Sequence, residues 1–327
     1  MLGGLARRAD FEEKLRAQNS ALIVDSGDLY FDPRSGEAPD KKLTKARIIG
    51  RAYRHMSASA VNVGDFDLLQ GIDFLRQEAS QGTPLVSSNL LDPSTKTPIF
   101  PTYVIREAGG LRIAFFGLAS PEFPPDIAKA LKEATEGKVL IKDPTEAARE
   151  TVQKIQGKAD LVVLLSDLGT FKDHALVRAV PGIHFILGGH EGRFIARPEQ
   201  SGKTFILQSS AKGMYVGQLK LKVENPSWAF KNEGEAQQLQ ERINGLEGQI
   251  RTLQNARQQQ SGTGAVNLDR AIQDLTRQKA GLQDQLRQSR DASSSNRFEW
   301  QVVSIESRHP ENDQVRKWVS EAGIDKD

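Results

Sequence analysis

The feature that most constrains the fold is a short apolar run that recurs along the chain and ends each time in small or acidic residues. The five runs lie at 21–24, 58–63, 111–118, 159–165 and 183–187. Helical patterns precede and separate them, at about 5–18, 42–56, 70–80, 126–135 and 144–156. This alternation of strand and helix predicts an α/β protein.

The carboxyl ends of the predicted strands carry side chains that can bind metals. Asp28, Asp65, Asp167 and His190 follow four of the apolar runs. Because ligands of such sheets bind beyond the carboxyl ends of the strands, these residues are candidate members of one site. Carboxylate oxygens suit hard divalent cations, and a neutral histidine accommodates Mn, Fe, Co or Zn. Taken singly, an aspartate after a strand is also an ordinary turn or cap residue, since it bonds neighbouring backbone groups well.

A polar segment from about 233 to 292 predicts two long helices. Their apolar residues have coiled-coil spacing and are Leu239, Ile243, Leu246, Ile250 and Leu253, then Leu268, Ile272, Leu275, Leu282 and Leu286. The glycine-containing stretch at 258–267 is predicted to connect them. We therefore predict an antiparallel coiled-coil hairpin between two strands with period-two patterns, at about 217–224 and 298–305. The alternative is that both helices pack flat against the core as ordinary amphipathic helices.

The charge balance and composition exclude several classes of protein. Lys and Arg number 44 and Asp and Glu 42, so the chain lacks the overall positive field that gathers nucleic acid, and we expect no nucleic-acid partner. There is no cysteine, which excludes disulfides, thiolate metal sites and cysteine nucleophiles. No apolar run approaches the roughly 18 to 20 residues that span a bilayer, so we predict no transmembrane segment, and no signal peptide is visible at the start of the chain.

Four segments carry a resemblance to a known family. They are VDSGDLYFD at 24–32, VNVGDFDLLQG at 61–71, LLSDLG at 164–169 and ILGGHEG at 186–192. In order and spacing they resemble the GD, GNHEFDYG, LSHLG and GGHTH blocks of the calcineurin-like metallophosphoesterases, in the branch of the bacterial 5'-nucleotidases and UDP-sugar hydrolases. The resemblance implies a four-layer α-β-β-α sandwich, which we assign to 1–230 and 293–327, and the coiled-coil hairpin predicted from the residue pattern is assigned to an insertion at 231–292.

The same blocks depart from the family pattern at its metal site. The metal-binding Asn of the GNHE block is Asp65, and the histidine that assists the leaving group is Phe66. The histidine of LSHLG is Asp167, whereas the first histidine of GGHTH is kept as His190 and the second is Gly192. The family's Asp-x-His motif and first strand, which precede GGLARRA, are missing. Either the chain starts too late or the site has been dismantled.

The resemblance and its departures together imply a metal site of Asp28, Asp65, Asp167 and His190. This oxygen-rich set is better suited to one Mg, Mn or Ca ion than to a dinuclear pair, and no catalytic residue is assigned. The first hypothesis is a protein of weak or no hydrolase activity that acts as an interaction or scaffold module, binding a protein partner or a second copy of itself through the hairpin at 233–292. The alternative hypothesis is an active metal-dependent phosphoesterase with a carboxylate-rich site. Family resemblance also implies a periplasmic or cell-envelope location.

Overall fold

The chain is divided into two units in the computed structural model, which describes residues 4–18, 20–123, 125–210, 213–224, 230–291 and 296–324. The larger unit comprises residues 1–217 and 301–327, and the smaller unit comprises residues 218–300.

The helices agree with most of the predicted helical patterns. Within the described ranges they are α1 Leu5–Gln18, α2 Pro39–His55, α3 Ile72–Ser80, α4 Pro125–Thr135, α5 Pro144–Ile155, α6 Thr170–Ala179, α7 Glu233–Gln258, α8 Gly262–Asp291 and α9 Asp313–Glu321. The sequence patterns did not predict α6 and α9. None of the helices in these ranges combines the length and the apolar character needed to cross a bilayer.

The strands form four sheets in the described residues. In chain order they are β1 Val24–Asp25, β2 Ala60–Asn62, β3 Leu85–Val86, β4 Leu90–Leu91, β5 Tyr103–Ala108, β6 Leu111–Ala119, β7 Leu140–Ile141, β8 Leu161–Asp167, β9 Phe185–Gly188, β10 Phe194–Ser201, β11 Thr204–Ser209, β12 Tyr215–Lys222, β13 Phe230–Asn232 and β14 Asn296–Ser304. The larger unit holds a sheet of order β10-β11-β9-β8-β6-β5, a parallel sheet of order β1-β2-β3, and the pair β4-β7.

The register of the parallel strands brings the predicted site to one edge of the larger unit. In the six-stranded sheet Ala119 pairs with Asp167, and Ser166 pairs with Gly188, so β6, β8 and β9 all end at the same edge. Strand β2 of the parallel sheet contacts both β6 and β8, which places the two sheets face to face. The loops after β1 and β2 therefore meet the loops after β8 and β9.

Two apolar cores give the larger unit its layers. One core contains Tyr53 of α2, Leu75 of α3 and Trp318 of α9, packed with the β1-β2-β3 sheet. The other core contains Ile155 of α5 and Leu176 of α6, packed with the six-stranded sheet. Helices thus cover the outer face of each sheet, and the predicted α-β-β-α order is confirmed.

The smaller unit contains the predicted helical pair, β13 and parts of β12 and β14, three strands that form a sheet of order β12-β14-β13. Helices α7 and α8 are antiparallel, because Leu239 and Ile243 near the start of α7 pack with Leu282 and Leu286 near the end of α8. Coiled-coil geometry for this pair and the insertion boundaries at 231 and 292 stay predictions, and residue 292 lies outside the described residues.

The predicted connection between the two helices was too long. Helix α8 begins at Gly262, which leaves only residues 259–261 between the helices. Gly262 has a φ of 66°, a left-handed conformation that glycine adopts without strain. The helix continues through Gly264 because Ala265 is buried, and that packing offsets the weak helix propensity of glycine.

Candidate metal centre

Asp28, Asp65, Asp167 and His190 come together at the edge of the two facing sheets. Each of them offers one ligand atom, and these atoms all lie within 4.8 Å of one another. Asp65 and Asp167 are buried, whereas Asp28 and His190 are half-buried. We call this set the four-residue cluster. The structure brings together the residues that the sequence singled out, and their role as ligands stays a prediction.

Two glycines allow the loops after β1 and β2 to approach each other closely. A Cβ atom on Gly64 would lie 2.4 Å from the backbone N of Asp28, which is closer than real Cβ contacts come. Gly27 has a φ of 107°, and a Cβ atom there would lie 2.8 Å from the N of Gly64. Asp28 itself has a φ of 56°, a conformation that Asp tolerates better than most residues. Larger residues at either glycine would push the two loops apart.

Asp67 fixes these loops and was not identified from the sequence. Its carboxylate is fully buried and accepts hydrogen bonds from the backbone N–H groups of Asp28 (3.0 Å), Tyr30 (2.8 Å) and Gly64 (2.9 Å). Burial raises the pKa of Asp67 to about 7, while the three N–H donors favour its charged form. An acidic residue in a predicted loop gives no sign that it will be buried, so only the three-dimensional arrangement reveals this role.

Hydrogen bonds and a close contact of His190 connect the members of the four-residue cluster and the loops that carry them. The N–H of Asp65 donates to Oδ2 of Asp167 (2.8 Å), and the N–H of Phe66 donates to Oδ1 of Asp28 (2.9 Å). Nδ1 of His190 lies 3.1 Å from Oδ1 of Asp167 and 3.9 Å from Oδ2 of Asp65. These contacts help to keep the ligand atoms of the four residues within 4.8 Å of one another.

The electrostatics of the cluster favour the uptake of a cation or a proton. Burial, followed by the charge of Asp167, raises the pKa of Asp28, and burial followed by the charge of Asp65 raises the pKa of Asp167. Burial also raises the pKa of Asp65, against smaller opposing effects that include the charges of His190 and Lys172. Three carboxylates held this close destabilise one another's ionised forms. A divalent cation would relieve that repulsion.

One oxygen of the cluster has an incomplete environment. Oδ1 of Asp65 is buried and has no hydrogen-bond partner among the described residues. A buried carboxylate oxygen without a partner costs free energy, and a bound cation would satisfy it. The donor set of three carboxylates and one imidazole is also that of a divalent metal site. The residues present therefore fit a metal ion.

Phe66 occupies the position at which the family pattern has its leaving-group histidine. The centroid of its ring lies 6.3 Å from that of His190. A phenyl ring can neither donate a proton nor accept a hydrogen bond. The side of the cluster next to His190 therefore has an apolar neighbour where a general acid is expected.

These features define a class of protein. Two facing sheets are flanked by helices, and side chains that could hold a metal ion follow the strands at one edge, which is the arrangement found in metallophosphoesterase folds. No family model matches the chain. Over 211 residues the chain is 28% identical to the 2',3'-cyclic-nucleotide 2'-phosphodiesterase/3'-nucleotidase of Salmonella typhimurium, an alignment that covers 57% of this chain and 32% of that protein.

A second relative and a solved structure agree with this class. The chain is 23% identical over 259 residues to the 5'-nucleotidase of Vibrio vulnificus, which covers 68% of this chain and 45% of that protein. It is similar in structure to the calcineurin-like phosphoesterase YfkN from Bacillus subtilis, with a TM-score of 0.62 and 19% identity over 98% of this chain and 89% of that chain. The chain thus has a calcineurin-like metallophosphoesterase fold, as the sequence predicted, and the two curated relatives are named as nucleotide phosphoesterases. It spans less than half the length of the two curated relatives.

Proposed function

We propose that this protein binds one divalent cation in the four-residue cluster and that it hydrolyses phosphate esters slowly or not at all. The observation that carries the proposal is the convergence of four ligand atoms within 4.8 Å beside the apolar ring of Phe66. Asp28, Asp65, Asp167 and His190 would hold the ion. A bound divalent cation supplies Lewis acidity that polarises a phosphoryl oxygen and lowers the pKa of water.

The donor set supports one ion better than two. Two-metal phosphoesterases hold their ions about 3.5 to 4 Å apart, and each ion needs its own set of ligands. The cluster contributes three carboxylates and one imidazole, and the family's further histidines are replaced by Asp167 and Gly192. Because Ca, Mg and Mn all accept carboxylate oxygens and Mn also accepts imidazole, we use Mn²⁺ as the probe.

The missing proton donor supports slow hydrolysis. A positioned general acid contributes about 10²- to 10⁴-fold to a rate. Phe66 cannot supply that contribution at its position beside His190. We therefore expect turnover of p-nitrophenyl phosphate to be weak even when Mn²⁺ is bound.

The metal site is tested by measuring the affinity for Mn²⁺ in the unaltered protein and in variants of the cluster. We expect Mn²⁺ to bind to the unaltered protein, and its affinity to fall at least about tenfold in Asp28→Ala and in His190→Ala, since each removes one ligand. Asp126→Ala, at an exposed position in α4, is the control and should leave binding unchanged. Undiminished Mn²⁺ affinity in both cluster variants would overturn the proposal.

The alternative function is an active phosphoesterase that uses the carboxylate-rich site. It is favoured by the retained donor set and by the nucleotide phosphoesterases to which the chain is similar. Rapid turnover with Mn²⁺ that Asp28→Ala and His190→Ala both abolish would establish this alternative and reject the slow-hydrolysis part of the proposal.

We also propose that the pair α7–α8 binds a protein partner or a second copy of this chain. The pair buries its apolar stripe between its own helices, which leaves largely polar outer faces and an exposed Val266 near the turn between them. A variant in which a short Gly-Ser linker replaces 233–292 tests this role. Its oligomeric state and its copurifying proteins are compared with those of the full chain. The same number of chains per particle in solution and an unchanged set of copurifying proteins would reject it. A periplasmic or cell-envelope location is likewise proposed, and cell fractionation tests it.

A further inference from the structure

A lysine outside the four-residue cluster is close enough for its charge to oppose the rise in the pKa of Asp65. Lys172 is in the first turn of α6, and its Nζ lies 3.2 Å from Oγ of Ser120 and 3.1 Å from Oε2 of Glu122. Its side chain is 33% exposed, so the ammonium group is accessible from solvent while its stem is partly covered. The sequence motifs did not identify it, because it belongs to none of the four family-like blocks.

The register of the six-stranded sheet places the serine that holds this lysine at the same edge as the cluster. Ser120 directly follows Ala119, which is paired with Asp167 across β6 and β8. Because β6 and β8 are parallel neighbours about 4.8 Å apart, Ser120 and Asp167 lie at the same edge of the sheet. Ser120 is fully buried and therefore holds the Lys172 ammonium at a fixed place on that edge.

Glu122, the acidic partner of Lys172, lies mostly in solvent. The side chain of Glu122 is 75% exposed. Exposed ion pairs contribute little to stability, so an anionic ligand can displace such a partner at small cost. The contact between Lys172 and the buried Ser120 does not involve the side chain of Glu122. The ammonium can therefore change its anionic partner without leaving the edge of the cluster.

We propose that Lys172 binds the phosphoryl oxygens of a phosphate-containing ligand at the four-residue cluster, and that Glu122 forms an ion pair with the ammonium group of Lys172 until such a ligand binds. Phosphoryl oxygens accept charge-assisted hydrogen bonds from lysine. The ligand class is thus an inorganic phosphate or a phosphomonoester, whose negative charge is shared between the metal ion and Lys172. This inference rests on the proposed metal site, but it requires no turnover.

The test measures the binding of inorganic phosphate to the Mn²⁺-loaded full chain at pH 7.5 by calorimetric titration. Loss of a charge-assisted hydrogen bond should weaken phosphate binding by about tenfold or more in Lys172→Gln. Lys172→Arg keeps the positive charge, so its phosphate affinity should stay within about threefold of that of the unaltered chain. Glu122→Gln removes the competing carboxylate and should tighten phosphate binding by about threefold or more. Lys138→Gln is the control, because Lys138, like Lys172, is a lysine that pairs with acidic side chains, in its case Glu136 and Asp73.

A second readout separates this inference from the proposed metal site. Lys172 is not a metal ligand, so Lys172→Gln should bind Mn²⁺ at least as tightly as the unaltered protein. If Mn²⁺ binds equally to both and the phosphate affinities are also equal, the inference is wrong and the metal site stands. The inference is also wrong if Lys138→Gln weakens phosphate binding as much as Lys172→Gln, or if Glu122→Gln fails to tighten it. Failure of the unaltered chain to bind Mn²⁺ overturns the metal site and this inference together.

Discussion

Replacing Asp65 by asparagine should stabilise the metal-free protein. The ligand atoms of the cluster lie within 4.8 Å of one another, and at an effective dielectric constant of about 20 two unit negative charges at that distance repel by about 3.5 kcal/mol. Part of this repulsion is already relieved, because burial and neighbouring charge raise the pKa of Asp28 and Asp167 so that the cluster takes up protons. We therefore expect the free energy of unfolding of Asp65→Asn to rise by about 1 to 3 kcal/mol at pH 8.

The same substitution should weaken metal binding. Asparagine keeps the shape of the side chain but removes the negative charge of one ligand. We expect the dissociation constant for Mn²⁺ to increase at least about tenfold, which is about 1.4 kcal/mol of binding free energy. Asp65→Asn is thus expected to stabilise the metal-free protein and to weaken Mn²⁺ binding. A residue with only a structural role would not produce both effects.

Urea unfolding at pH 8, with and without Mn²⁺, measures both effects on one protein. Since a ligand that binds only the folded state stabilises it, Mn²⁺ should stabilise the unaltered chain more than Asp65→Asn at the same concentration. Asp126→Asn, at an exposed position, is the control and should change neither quantity. The reasoning is refuted if metal-free Asp65→Asn is no more stable than the unaltered chain, or if its Mn²⁺ affinity is unchanged.

Three further substitutions test other parts of the account. Asp67→Asn should lower the free energy of unfolding by about 2 kcal/mol, because an amide cannot accept all three N–H donors, and urea unfolding that shows no loss would contradict the anchoring role. Phe66→His places a proton donor beside His190 and should raise turnover of p-nitrophenyl phosphate with Mn²⁺ by about 10²-fold or more; an unchanged rate would show that the missing general acid is not what limits hydrolysis. Burial lowers the pKa of His184 from 6.5 to about 4, so its folded state binds fewer protons than its unfolded state between these values. The unaltered chain should therefore lose up to about 3 kcal/mol of stability relative to His184→Asn as the pH falls from 6.5 to 4, and equal pH dependence of the two proteins would refute the assignment.

Sequence patterns predicted the strand ends because burial in a parallel sheet leaves a continuous apolar run. Such runs preceded Asp65, Asp167 and His190, and their common edge followed from the α/β alternation. Strand β1 was harder to place, since it comprises only Val24–Asp25 and so only the last residue of the apolar run at 21–24 is paired. The identity of the family could likewise be predicted, because whole motifs of it are present in order.

Other features depend on contacts between distant parts of the chain. Helix α6 carries only a weak amphipathic pattern and follows a glycine with a positive φ, so neither periodicity nor capping reveals where it begins. Asp67 and Lys172 acquire their places from the approach of two loops and from the register of β6 and β8. Neither relation is encoded in a local pattern of residues. The start of α8 was missed for a related reason, because the burial of Ala265 outweighs the glycines around it.

The number of Mn²⁺ ions bound per chain tests the central claim most directly. Equilibrium dialysis followed by elemental analysis gives this number without any assay of activity. If the four-residue cluster binds one divalent cation, we expect one ion per unaltered chain and none in the double variant Asp28→Ala, His190→Ala. Two ions per unaltered chain, no ion at all, or one ion retained by the double variant would contradict it.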